Sequence, residues 1–217
     1  MIKKIMICLT VICLSVLMVA CREDSRVAGP EEGSSPDWPG RSLKEDCVDM
    51  LVLSLVRGDA GRYGELLLKP DTTGTFPEGF IWYNNHNLPE EKLPPLLHYD
   101  QDLEAVELLL AHAVDFEFKV DPGSWYSRNS FRGIDCSDCW ESTRGYILHV
   151  MLDNGETYTG MFFRLKLVIG PDPEEAGKHV IYEAADLPRG QMAVVKQPAD
   201  VDGISLGMLK SIVMENL

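Results

Sequence analysis

The stretch YILHVMLDNGETYTGMFF, running from Tyr146 to Phe163, decides the fold. Two runs of apolar residues flank Asn154-Gly155, and that dipeptide is the strongest short signal for a hairpin, because a type I′ turn needs positive φ at both central positions. Such a turn pairs Asp153 with Glu156. Counting outward then sets Tyr146 opposite Phe163 and Leu148 opposite Met161 on one face. Ile147 opposite Phe162 and Met151 opposite Tyr158 fall on the other. Both faces are apolar, so one carries the core and the second needs a cover of its own: helices, a partner or a ligand.

Upstream, Val114, Phe116, Phe118 and Val120 alternate with Asp115, Glu117 and Lys119, the period of a strand with one solvated face. Downstream, His179 to Ala184 and Gln191 to Lys196 read as further strands between turns at Gly170-Pro171 and Pro188-Arg189-Gly190. Helices precede this array. Ser42 with Glu45 makes a capping box ahead of Leu43, Cys47, Met50, Leu51 and Leu55 at helical spacing, with Gly58 as the stop. Asp59 caps a second helix with Tyr63, Leu66 and Leu67 inward. Asp100 caps a third, with Leu103, Val106, Leu110 and Ala113 on one face. A last helix carries Leu206, Leu209, Ile212 and Val213. Asp71 to Pro89, around Phe80 to Tyr83, and the segment from Asp121 to Trp140 show no period and read as irregular loops. The chain is therefore expected to be α+β, with N-terminal helices packed on a curved antiparallel sheet and a C-terminal helix.

The first residues have a different character. Lys3 and Lys4 precede an uncharged run from Ile5 to Ala20, too short for the roughly 20 apolar residues of a spanning helix. The ending Met18-Val19-Ala20-Cys21 resembles the lipobox of bacterial lipoproteins, with Met18 in place of the usual leucine. The resemblance implies cleavage before Cys21, lipidation of that cysteine and a membrane anchored through its acyl chains. Arg22, rather than aspartate, after the cysteine implies the outer membrane facing the periplasm over the inner membrane. An ordinary secretory signal or an uncleaved anchor is the alternative. Residues 21–40, rich in Gly, Pro, Ser and acid, read as a tether, and residues 41–217 as one globular domain. With 34 acidic against 20 basic residues the chain is anionic, which argues against binding nucleic acid.

From Leu55, Val56, Arg57, Gly58, Asp59 and Ala60 through Leu66 and Leu67, and in the order of its later strands, the chain also resembles nuclear-transport-factor-two-like (SnoaL-like) proteins. That resemblance implies a sheet curled around a pocket. The insertion from Asp71 to Tyr99 and the C-terminal helix depart from that compact plan.

Candidate chemistry is sparse. Cys136 and Cys139, in C-x-x-C spacing, fit a dithiol redox pair or a structural disulfide, and Cys47 offers an alternative partner to either. Asp135 and Asp138 beside the thiols disfavour thiolate formation. A zinc site lacks its other ligands, Trp140 stands where haem attachment needs histidine, and the five histidines are scattered, so no metal or cofactor is expected. Gly203-Ile-Ser205-Leu-Gly207 matches the nucleophile elbow G-x-S-x-G, but no histidine follows it, and Ser205 reads as a helix cap. The aromatic residues Trp82, Tyr83, Trp125, Tyr126 and Trp140 lie in the irregular segments and either pin those loops or line a mouth. With Ile147, Met151, Tyr158 and Phe162 they form the candidate surface for an envelope protein or a small molecule. The expected function is a non-catalytic binding module of the cell envelope, with a thiol-disulfide enzyme or a structural subunit as alternatives.

Overall fold

A computed structural model describes residues 38–72, 74–84, 96–187 and 203–216. The segment before Cys21, Cys21 itself, most of the expected tether and the strand expected at Gln191 to Lys196 lie outside these. Among the described residues the architecture is mixed α+β, built on a seven-stranded open sheet. In chain order the elements are α1 (Lys44–Val56), α2 (Ala60–Glu65), β1 (Ile81–Asn84), β2 (Leu96–His98), α3 (Tyr99–His112), β3 (Ala113–Val120), β4 (Tyr126–Phe131), β5 (Ile134–Leu152), β6 (Thr157–Pro171), β7 (His179–Leu187) and α4 (Leu206–Asn216). The sheet order is β2-β1-β7-β6-β5-β3, with β4 also on β5. Every pairing is antiparallel except β1 with β7, which is parallel. Among the described residues no helix is long and apolar enough to cross a membrane.

The hairpin that decides the fold forms between β5 and β6, but its turn differs from the type I′ expectation. Asn154 keeps negative φ, Gly155 alone is left-handed at φ +88°, and the Leu152 amide donates to the Glu156 carbonyl. This is a three-residue loop closed by a glycine bulge, and it slips the register by one. Ile147 faces Met161, Val150 faces Tyr158 and Met151 faces Thr157, while Tyr146 still faces Phe163 because Phe162 is an extra residue in β6. The slip moves Tyr158 onto the inner face, half-buried against the core. The outer face is left with exposed Ile147, Met151 and Met161 among charged Asp115, Glu117 and Lys119. Among the described side chains of this hairpin, the continuous second apolar face expected from the sequence is therefore absent.

The type I′ turn occurs elsewhere. Arg132 and Gly133, at φ 48° and 80°, join β4 to β5 with Phe131 paired to Ile134. The segment expected to be an irregular loop is thus a hairpin whose strands lack apolar alternation because they form one edge of the sheet. β3 and β4 share that edge of the 19-residue β5, β3 covering its C-terminal half and β4 its N-terminal half. The supposed loop around Phe80 likewise contains β1, which lies between β2 and β7 with Ile81 and Trp82 buried.

The helices follow their periodicities with small rotations. In α1, Cys47, Val48, Met50, Leu51 and Leu55 are buried, and the start is fixed by the Asp46 carboxylate, which accepts from the Leu43 amide and Ser42 hydroxyl. Asp59 caps α2 by accepting from the Arg62 amide. α3 starts one residue before Asp100, and its buried face is Asp102, Ala105, Val106 and Leu109 rather than the Leu103-Leu110 stripe. The core lies between the inner face of the sheet, where Leu148, Val150, Leu165 and Leu167 are fully buried, and these helices.

Candidate functional site

The inner face of the sheet holds a set of polar groups that its apolar surroundings do not predict. Lys210, on α4, and Asp102, on α3, are both 0 % exposed. Lys210 occupies the same face of its helix as Leu206, Leu209 and Val213, all buried, so helical geometry itself drives the ammonium inward. Its Nζ donates to Asp102 Oδ1 at 2.7 Å and to the Tyr63 hydroxyl at 2.9 Å. The Tyr63 hydroxyl in turn donates to Asp102 Oδ2 at 2.6 Å. The ammonium also stands 3.6 Å from the centroid of the Trp82 ring, an attractive cation–π geometry. Burial pulls Lys210 below its ordinary pKa, opposed by the negative charges of Asp102 and Asp186. Burial, reinforced by Asp102, pushes the Tyr63 phenol well above its ordinary value and keeps it a donor.

A second carboxylate lies on the same inner face. Asp186, on β7, is 0 % exposed and accepts from the Tyr146 hydroxyl at 2.7 Å and from the Gly207 amide at 2.6 Å. The Leu206 amide donates to the Tyr146 oxygen at 3.0 Å. The first turn of α4 thus directs its free amides at a carboxylate and a phenol, where the helix dipole favours negative charge. Here Gly203-to-Gly207 finds its explanation as a docking element. Ser205 accepts from the Met208 amide as a cap, and a Cβ on Gly207 would lie 2.4 to 2.6 Å from Asn84, Asp186 and Trp82. A Cβ on Gly160, in β6, would lie 2.0 Å from the Ile204 carbonyl oxygen. Both glycines are contact points that let α4 and its lead-in settle onto the sheet.

The residues singled out from the sequence are dispersed by this arrangement. Trp82 is buried at the Lys210 ammonium, Tyr83 is half-buried on β1, and Tyr126 is exposed on β4. Trp125 and Trp140 come together near the start of α1, with the Lys44 ammonium 3.9 Å from the Trp140 ring centroid and the Arg144 guanidinium 4.8 Å from that of Trp125. Ile147 and Met151 face outward, Tyr158 inward, and the Phe162 side chain lies outside the described set. Cys136 and Cys139 form a disulfide with a Cα separation of 5.5 Å. It spans a bulge: opposite Asn129 alone, β5 carries Cys136, Ser137 and Asp138. Asp138 accepts from the Trp140 indole at 2.8 Å and pairs with His179 on β7 at 3.2 Å. Cys47 is a free, buried thiol. Among the described residues no cluster of His, Cys, Asp and Glu is placed to hold a metal ion.

Lys210, Asp102 and Asp186 were not marked by sequence reasoning, because a charged residue is ordinarily assigned to the solvated face. The available signal was a lysine four residues after Leu206 and three before Val213, both core positions, and an aspartate three, four and seven residues before Ala105, Val106 and Leu109.

No protein-family profile matches this chain, and no curated protein matches it in sequence. Solved structures similar to it include a nuclear transport factor 2 (NTF2-like) superfamily protein from Salmonella enterica, 13 % identical over 70 % of this chain and 93 % of that one, with a TM-score of 0.49. A ketosteroid isomerase-like protein from Erwinia carotovora is 8 % identical over 67 % and 93 %, at 0.45. A hexachlorocyclohexane dehydrochlorinase from Novosphingobium barchaimii is 10 % identical over 66 % and 82 %, at 0.44. The structural neighbours thus include NTF2-like proteins.

Proposed function

We propose that this chain is an exported binding protein of the bacterial cell envelope, lipid-anchored through Cys21 to the outer membrane and taking a small molecule on the inner face of its sheet. The observation that carries the binding reading is the convergence of Asp102, Tyr63, Trp82, Asp186 and Tyr146 from five elements of the sheet-and-helix body onto one surface, α4. Proteins retain fully buried charges at a cost in stability, since apolar replacements of the same volume are often neutral or stabilising. A recognition role gives that cost a purpose. The Cys136–Cys139 disulfide supports the export reading, because such bonds persist in oxidising compartments and are rare in the cytosol.

The location is tested by expressing the full chain and its Cys21→Ser variant in a bacterium fed with labelled palmitate. Label and membrane fractionation are expected for the parent and are expected to be lost in the variant. An unlabelled parent, or a variant that fractionates and labels as the parent does, overturns the anchor.

A further inference from the structure

Viewed from the body of the domain, Lys210 behaves as a bound ligand. Its ammonium has three N–H directions, and three fixed groups meet it: the Asp102 carboxylate at 2.7 Å, the Tyr63 oxygen at 2.9 Å and the Trp82 ring face at 3.6 Å. None of the three comes from α4. Asp102 is on α3, Trp82 is on β1, and Tyr63 on α2 is locked by its own hydrogen bond to Asp102, so the cage is held by contacts that do not need the lysine. A carboxylate, a phenol oxygen and an indole face are the groups that recognise a primary alkylammonium: charge pairing, a neutral acceptor and a cation–π surface. Asp186 adds a second negative charge on the same side, close enough to bear on both Lys210 and Tyr63.

The seat for α4 is equally specific. Gly207 and Gly160 leave no room for a side chain, and the Gly207 and Leu206 amides are matched to Asp186 and Tyr146. One helix therefore supplies both the ammonium for one carboxylate and the amide donor for the other, so its departure would bare both together. We propose that Asp102, Tyr63 and Trp82 form a binding site for a small primary alkylamine and that α4 is its built-in competitor, with Lys210 as the tethered ligand. This rests on the inner face being the ligand site and names the class of molecule it takes.

The test uses the full chain and n-butylammonium, which reproduces the lysine side chain, with 1-butanol as its neutral counterpart. Gly160→Val places a side chain against the Ile204 carbonyl and unseats the lead-in to α4 without touching Asp102, Tyr63 or Trp82. By calorimetry, Gly160→Val is expected to bind n-butylammonium at least tenfold more tightly than the parent, to bind 1-butanol no better than the parent does, and to lose amine binding when Asp102→Asn is added. Equal binding of amine and alcohol overturns the amine assignment but leaves the inner face as a ligand site. Binding of neither overturns both.

If Gly160→Val does not fold, Lys210→Ala takes its place, with n-propylammonium supplying the atoms from Cγ to Nζ. Millimolar amine is then expected to raise the melting temperature by several degrees where 1-propanol does not, with Asp102→Asn abolishing the effect. No amine-specific rise overturns the cage.

Discussion

Replacing Lys210 by methionine removes the ammonium but keeps most of the volume, so little of the effect comes from a cavity. What remains is Asp102, fully buried, with the Tyr63 hydroxyl as its surviving side-chain donor. Breaking a buried ion pair from one side typically costs about 3 to 5 kcal/mol, because the orphaned charge must be ionised without its partner or take up a proton. Removing both charges is a different experiment. In Asp102→Leu with Lys210→Met neither member of the pair is stranded, and Asp186 keeps its Tyr146 and Gly207 donors, so most of the loss is expected to return. The signature is a coupling energy of about 2 kcal/mol or more between the two sites, above the few tenths expected of independent positions. Urea unfolding of the parent, both single variants and the double variant measures it. For a domain of this size each kcal/mol corresponds to roughly 2 to 4 °C in Tm, so the single variants should melt about 6 to 20 °C lower. Additive effects, each below about 1 kcal/mol, would refute the view that these charges are closed off from water and dependent on each other.

Further outcomes follow from the same core and from the disulfide. The Cys47 thiol is pushed up to about 12, chiefly by burial, from an ordinary 9.0. Its folded pKa is raised, so its contribution is complete below pH 9 and is lost as pH climbs through 9 to 12; urea midpoints should fall over that window, less steeply in Cys47→Ala. The thiol should also resist iodoacetamide at pH 8 until the protein unfolds. Cys136→Ser with Cys139→Ser removes a very short loop closure and should cost about 2 kcal/mol by urea unfolding. A glutathione titration of the parent separates a structural bond, reduced well below roughly −250 mV, from an exchangeable one above it, which would restore the redox alternative.

The elements legible in the sequence were those in which one face is solvated and the other apolar. α1 was readable from Cys47, Met50, Leu51 and Leu55, and β3 from Phe116 and Phe118 between acids and a lysine. The losses have local causes. β1 was hidden because it is only four residues long, sits among Gly, Pro and Asn, and is defined by neighbours a hundred residues away, Glu183 to Asp186. β4 and the first half of β5 were hidden because an edge pairing with a bulge needs no apolar alternation. The hairpin register was set by a bulge glycine instead of a type I′ pair, a difference of one residue that exchanged Tyr158 for Met161 on the outer face. The site was the least legible part. Its charged members occupy core positions, and patterning rules assign charges to water.

The pairing of Lys210 has a temporal side. Asp102 precedes it by 108 residues and Tyr63 by 147, and Asp186 also comes earlier in the chain. A polypeptide made from its N-terminus therefore holds both carboxylates before it holds the cation and the amides that satisfy them. Until α4 arrives, the sheet and the first three helices enclose negative charges that resist apolar packing. Closure of the interior is thus tied to the arrival of α4, and a chain that has not yet reached it is marked by its own electrostatics.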